Sequence, residues 1–239
     1  MGAIKLKHTS GNGTILNSPA ANPSSDITLK LPSTTGSAGQ VLKVASANHS
    51  STNAELEFGA DAGGKILQVV PTVSNGAASV TISNAYANNS SNIYYITALN
   101  TTITTTQTNS KILISANIFG EADQVDNIIS FVLSSSINSG TDTPIDTLRG
   151  PAYGDRGRVT AIMSVGYYGN DQDSTPSVTS FSNFVYEPNQ ASGTAITIKV
   201  GVVNTQGTGN FYLNRTVTDT NSTSYEKGVS SLTLMEVAP

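Results

Sequence analysis

The chain has 239 residues, 37% of them hydrophobic and only 12% charged, with a net charge of −4, no cysteine and two histidines. This composition rules out a disulfide framework and a cysteine-ligated metal, and it leaves no basic field to draw nucleic acid. A nucleophile–histidine–acid triad or a histidine-held metal would have to use His8 or His49, both in the N-terminal quarter.

A chain this poor in charge solvates itself with Ser, Thr and Asn. These side chains compete with a helical backbone for hydrogen bonds and favour strands and turns. The first elements are short and alternate with period two. In AIKLKH, Ile4 and Leu6 face away from Lys5 and Lys7. In DITLKLP, Ile27, Leu29 and Leu31 alternate with Asp26, Thr28 and Lys30 until Pro32 stops the strand. In ELEFG, Leu56 and Phe58 alternate with Glu55 and Glu57. Gly, Pro and Ser breaks separate these strands, and GADAGG (Gly59–Gly64) reads as a linker.

Beyond the linker the strands lengthen. They are expected at Lys65–Val70, Ala78–Ile82, Ile93–Thr104, Lys111–Gly120, Asn127–Ser136, Arg158–Gly169, Ser177–Pro188, Ala195–Val203, Asn210–Arg215 and Val229–Val237. No stretch keeps a 3.6-residue apolar period for three turns. The fold class is therefore all-β: a strand-rich arm over residues 1–64, then a jelly-roll β-sandwich over 65–239.

Residues 1–60 carry only about a dozen sizeable apolar side chains, too few to offset the ordering of sixty residues. The arm is expected to gain its structure from other copies of itself. Short strands from three chains would bury one shared seam of Ile4, Leu6, Ile27, Leu29, Leu31, Leu56 and Phe58. The opening MGAIKLKHTSGNGTIL lacks the charged-then-apolar pattern of a secretion signal, and no apolar run approaches the roughly 20 residues that span a bilayer. Neither membrane insertion nor a nucleic-acid partner is expected. Together with the absence of cysteine, this fits assembly in a host cytoplasm.

Several segments resemble structural proteins of tailed bacteriophages, marine and cyanobacterial ones especially. IKLKHTSGNGTIL, NPSSDITLKLPSTTGSAGQVLKV and LEFG are similar to the leader of their fibre-like proteins. TTTQTNSKILISANIFG, DRGRVTAIMSVGYYG and YEKGVSSLTLMEVAP are similar to their C-terminal domain. The resemblance implies a virion fibre, spike or appendage, usually a homotrimer, whose jelly roll is like the heads of C1q and tumour necrosis factor. Its partners would be other virion proteins of tail or capsid and a host surface glycan or protein. No functional residue is carried over from the resemblance.

The longest segment without strand character, Thr141–Val159, holds Arg149, Arg156 and Arg158, three of the four arginines, beside Tyr153, Asp146 and Asp155. Tyr and Arg are frequent in binding hot spots. The segment reads as a contact loop for a receptor or a neighbouring subunit, or as a solvated loop whose arginines pair with local aspartates. Asp171 and Asp173, with Glu187 further on, and likewise Glu121, Asp123 and Asp126, could supply oxygen ligands to calcium, but without the twelve-residue loop of an EF-hand they read first as ordinary polar turns. His8 and His49 read as surface residues, or as residues meeting their mates on a three-fold axis. The Asn-X-Ser/Thr triplets at Asn12, Asn48, Asn88, Asn89, Asn100, Asn214 and Asn221 follow from composition alone. No catalytic residue and no cofactor is nominated.

The sequence therefore points to a non-enzymatic virion protein, a trimeric tail fibre or similar appendage for host attachment. The rival readings are a capsid decoration or cement protein, a glycan-cleaving spike enzyme, and a free C1q-like binding module.

Overall fold

The computed structural model describes residues 3–7, 13–17, 28–50, 53–60, 66–88, 91–123, 129–163 and 176–239. The chain divides into two compact units, residues 1–63 and 64–239. Ile27, His8, Asp126, Asp171 and Asp173 lie outside the described residues.

In the first unit, β1 (Ala3–Lys7) pairs antiparallel with β2 (Gly13–Asn17), which sets Ile4 opposite Leu16 and Leu6 opposite Thr14. A second sheet joins β3 (Thr28–Lys30), β4 (Gln40–His49) and β5 (Asn53–Ala60) in the order β3-β5-β4, with β3 parallel to β5. The ten-residue β4 is absent from the strands that alternation suggested. Its second half, ASANH, carries no large apolar residue to mark a period.

The second unit is an antiparallel β-sandwich of jelly-roll type. Its strands are β6 (Ile66–Ser74), β7 (Ala78–Ile82), β8 (Tyr94–Tyr95), β9 (Thr101–Thr104), β10 (Lys111–Ala122), β11 (Ile129–Ile137), β12 (Thr143–Pro144), β13 (Ala161–Ile162), β14 (Ser177–Tyr186), β15 (Ala195–Asn204), β16 (Gly209–Leu213) and β17 (Ser230–Val237). One sheet centres on β10, which β14 flanks along Ile112–Gly120. On its other pairings β10 meets β17 along Lys111–Asn117 and β16 along Gly120–Ala122; β6 extends β17, and β7 extends β16. The other sheet centres on the β11–β15 pair. Here β12 and β13 add to β11, while β8 and β9 add to β15.

The core lies between the sheets. Ile112, Ile114 and Ile118 of β10 and Leu232 and Leu234 of β17 meet Ile196, Ile198, Val200 and Val202 of β15, with Phe131 edge-on to Phe211 at 5.7 Å between ring centres. Period-two alternation places each of these inward.

Three local departures from simple alternation have physical causes. The run Ile93–Thr104, expected as one strand, breaks at a 3₁₀ turn, Thr97–Leu99, which buries Leu99; β8 and β9 on either side then pair with different parts of β15. β6 runs on through Pro71, which an edge strand tolerates because one side of its ladder is unpaired. In β14 a bulge opposite Ser115, with Asn183 at φ 64°, shifts the register, so that both Phe181 and Phe184 reach the core although they are three residues apart. Of the expected strand Arg158–Gly169, only Ala161–Ile162 is strand among the described residues.

Two buried polar groups tie the ends of the sandwich. Asn214, in the left-handed region at φ 59°, donates through Nδ2 to the carbonyl oxygens of Ser74 (2.8 Å) and Gly76 (3.0 Å), and it accepts from Ser230 Oγ (2.6 Å). Its burial leaves no room for a glycan at that triplet. Glu236, fully buried on β17, accepts from Gln68 Nε2 (2.6 Å), Thr106 N (2.7 Å), Thr106 Oγ1 (2.9 Å) and Gln107 N (3.2 Å), pinning the β9–β10 turn to the sheet. Burial alone pushes the Glu236 carboxyl up, but hydrogen bonds from Ser110, Gln68 and Thr106 outweigh it and hold the group below the ordinary glutamate value.

A carboxyl held low only in the fold binds fewer protons there than in the unfolded chain. Its stabilisation is full above the unfolded value and is lost as pH falls through the folded one. Glu236→Gln should therefore lower stability at pH 7 by about 1–3 kcal/mol, because an amide cannot accept from so many donors. In urea titrations the gap between wild type and variant should narrow as pH drops below the ordinary carboxylate range.

Candidate interaction surfaces

The sheet β3-β5-β4 has two chemically distinct faces, set by its register. Leu42 lies opposite Phe58, Val44 opposite Leu56, and Leu29 beside Ala54, so all six share one face. On the other face Lys43 lies opposite Glu57, with an ion pair of 3.6 Å, and Lys30 lies beside Glu55. One ion pair thus lies on the charged face. On the apolar face Leu29 is 60% exposed, and Leu42 and Val44 are each 50% exposed. Leu31, just past β3, is 77% exposed. Ala54, Leu56 and Phe58 are partly buried; Phe58 packs at Gly36, where φ is 73° and an added Cβ would lie 2.6 Å from the ring's Cγ.

Of the residues expected to line a seam, Leu29, Leu56 and Phe58 thus fall on one sheet face, and Leu31 follows directly from its edge. Ile4 and Leu6 occupy alternate positions of β1 in the separate β1–β2 pair. Leu42 and Val44 complete the face. They sit in QVLKV, the alternating first half of β4.

The Arg-bearing loop lies over the outer face of the β11–β15 sheet. On that face Val132 and Val203 pack with Tyr86, Ile93 and Val159 in a small second core. Tyr86 is the pivot. Its hydroxyl accepts from Arg149 Nη1 (3.0 Å) and donates to the Arg158 carbonyl (3.1 Å). Arg149 Nη2 is hydrogen-bonded to Asp146, and Arg158 Nη1 reaches the same carboxylate oxygen at 3.1 Å. Arg158 Nε also donates to the Gly150 carbonyl (2.6 Å). The Asp146 carboxyl is held below the usual aspartate value, first by the hydrogen bond from Arg149 and then by the charges of Arg149 and Arg158. Gly157 permits the close crossing: a Cβ there would come within 2.9 Å of both Thr205 Cγ2 and Tyr86 Cδ1.

Arg149 and Arg158 are therefore braces that pair with a local aspartate, as one of the two readings of the loop expected. Tyr153, Asp155 and Arg156 are different. They stand at the exposed tip, with Tyr153 72% exposed and the Arg156 guanidinium 5.2 Å from its ring centre. The pairing of Tyr86 with both arginines had no sequence signal, since Tyr86 lies more than sixty residues upstream in a Ser/Asn-rich stretch.

Two of the acids considered as calcium ligands serve the fold instead. Glu121 is buried and accepts from Val217 N (2.7 Å), and Asp123 accepts from Asn210 N and Nδ2 (2.8 and 2.7 Å). No cluster of three metal-ligating side chains occurs among the described residues.

No family model matches the chain, and no curated protein matches it. Solved structures do. The structure of the infectious bursal disease virus Gt strain aligns over 77% of this chain and 44% of its own, at 11% identity and a TM-score of 0.33. The crystal structure of the infectious bursal disease virus VP2 subviral particle aligns over 84% of this chain and 47% of its own, at 11% identity and a TM-score of 0.26. The chain spans less than half the length of the solved chains it matches.

Tyr86→Phe removes the hydroxyl that links Arg149 to the Arg158 carbonyl, at a cost of about 1 kcal/mol. Hydrogen exchange should speed up selectively over residues 149–160, while the amides of β10 and β15 keep their protection.

Proposed function

We propose that the chain is a non-enzymatic structural protein of a tailed-phage virion, a homotrimeric fibre or similar appendage. In this reading residues 1–64 assemble and anchor it, and the sandwich of residues 65–239 is displayed. The observation that carries the reading is the apolar sheet face on which Leu29, Leu42 and Val44 are half exposed or more, beside the partly buried Leu56 and Phe58. Leucine and valine left half exposed side by side form a surface that awaits a cover. On the opposite face Lys43 and Glu57 pair with each other. An identical apolar face is the simplest complement, and closed rotational symmetry lets each copy cover the next. The segment-level resemblance to phage appendage proteins supplies the virion setting and the three-fold expectation. The exposed Tyr153–Arg156 tip suits contact with a host surface, repeated three times so that weak contacts add.

A capsid decoration protein would use the same assembly at another place on the particle. Antibody-labelled virions imaged by electron microscopy separate the two: label at the tail supports the appendage, and label over the head supports decoration.

The assembly itself has a direct test. In sedimentation equilibrium the protein should behave as three chains of 24.7 kDa. Leu42→Asp puts a charge in the seam and should shift the population to monomer by at least about a hundredfold in association constant, with the sandwich still folded by near-UV circular dichroism. A wild-type monomer, or a trimer indifferent to Leu42→Asp, contradicts the proposal.

A further inference from the structure

The two outer faces of the sandwich differ. On the β11–β15 sheet the outward Val132, Gly201 and Val203 are buried under segments that carry Tyr86, Ile93 and Val159. On the β10-centred sheet the outward Ile66, Val69, Val73, Val178 and Val185 are between 45% and 66% exposed. Their placing follows from the register. Val70 of β6, Leu234 of β17, Ile112 and Ile114 of β10 and Phe184 of β14 turn to the core, so the residues between them turn out. Val69 lies opposite Met235, Met235 opposite Leu113, and Leu113 opposite Val185. These four make one apolar row across four strands, and Ile66 opposite Val237 continues it on β6 and β17. An antiparallel sheet with one face in water carries polar residues at the outward positions. Along this row it carries none, so the face is built for cover.

Charge and area decide what covers it. From Lys111 to Phe119, and over the facing stretches of β6, β17 and β14, the outward side chains bring one charge, Lys111. Its Nζ is already paired with Glu187 at 2.7 Å. A partner that docks by charge finds little to hold here, whereas an identical face meets no like-charge repulsion. Strands about 4.8 Å apart, with residues about 3.3 Å apart along them, give this four-strand stretch a footprint of about 500 Å². With the relief of its side chains, that is on the scale of the roughly 800 Å² of accessible surface each partner gives to a stable interface. A chain already joined to its copies through the first unit also holds copies of this face at high effective concentration.

We propose that the sandwiches of neighbouring copies pack on one another through this face, with the row Val69, Met235, Leu113 and Val185 turned to the symmetry axis. The inference rests on the trimer reading above and deepens it: the first unit makes one contact between copies, and the sandwich makes a second and separate one. The braced loop lies over the opposite sheet, so its Tyr153 tip then faces away from the axis and stays free for contact.

The chain has no cysteine, so one introduced thiol reports on one place. Val69→Cys and Val185→Cys on this face, and Ile162→Cys on β13 of the other sheet, all replace exposed residues. Each full-length trimer is reacted with a small maleimide. The thiols at 69 and 185 should react at least about tenfold more slowly than the thiol at 162, and the three rates should converge on dilution to single chains. Val69→Lys should weaken the association about tenfold or more, with near-UV circular dichroism unchanged. Equal rates in the trimer overturn the proposal. So does slow reaction at 69 and 185 that persists in the single chain, which means that the chain covers its own face, or slow reaction confined to whole particles, which means that another virion protein does. The two contacts fail separately. A trimer sensitive to Leu42→Asp but with fast thiols at 69 and 185 removes the sandwich contact alone, and slow thiols in a trimer indifferent to Leu42→Asp remove the first-unit seam alone.

Discussion

An apolar sheet face in water has to be covered, and that constraint shapes this protein. Of the buried apolar residues among those whose burial is described, 26 belong to the second unit and one, Ala45, to the first. The first unit nevertheless has well-paired strands, with an ion pair between Lys43 and Glu57 on its charged face. Its strands are arranged as a surface rather than around a core. Burial of roughly 25 cal/mol per Å² of apolar area is the main stabilisation open to a sheet of this kind, and a single copy leaves most of it unrealised. The trimeric shaft proposed above would make up that shortfall.

The sandwich follows the opposite plan. Its core is continuous from β10 and β17 across to β11 and β15, and some of its buried polar groups are held by several partners at once. Asn214 and Glu236 hold strand ends and a turn to the sheet with hydrogen bonds from four separate segments. Tyr86 does the same for the loop on the outer face. Such rigidity suits the display role proposed for the sandwich, because a recognition surface loses affinity for every side chain that must be ordered on contact. The loop is ordered beforehand: Arg149 and Arg158 share Asp146, leaving the Tyr153 tip outside.

Much of this was legible in the sequence, for reasons that also mark where legibility ends. Ile196, Ile198, Val200 and Val202 alternate so regularly that β15 and its inward face could be read directly, and the all-β class followed from many such runs. Leu29, Leu56 and Phe58 were readable as one face for the same reason. Strand β4 was missed because only its first half alternates. The turn at Thr97–Leu99 was missed because a Thr-rich run keeps strand propensity through the break. The bulge at Asn183 leaves no trace in period-two counting. The braces of the arginine loop depend on Tyr86 and Asp146 meeting across the fold, and local pattern says nothing about such distant pairs. Arg149 illustrates the limit: its bonds to Tyr86 and Asp146 join residues that no local pattern links.

The central claim, that the first unit owes its order to neighbouring copies, is tested most directly by hydrogen exchange over about a hundredfold dilution of the intact protein. Protection of the amides in Gln40–Ala60 should fall with dilution, while those of Lys111–Ala122 and Ala195–Asn204 stay constant. Protection of Gln40–Ala60 that stays unchanged down to concentrations where the protein sediments as a single chain would contradict the account.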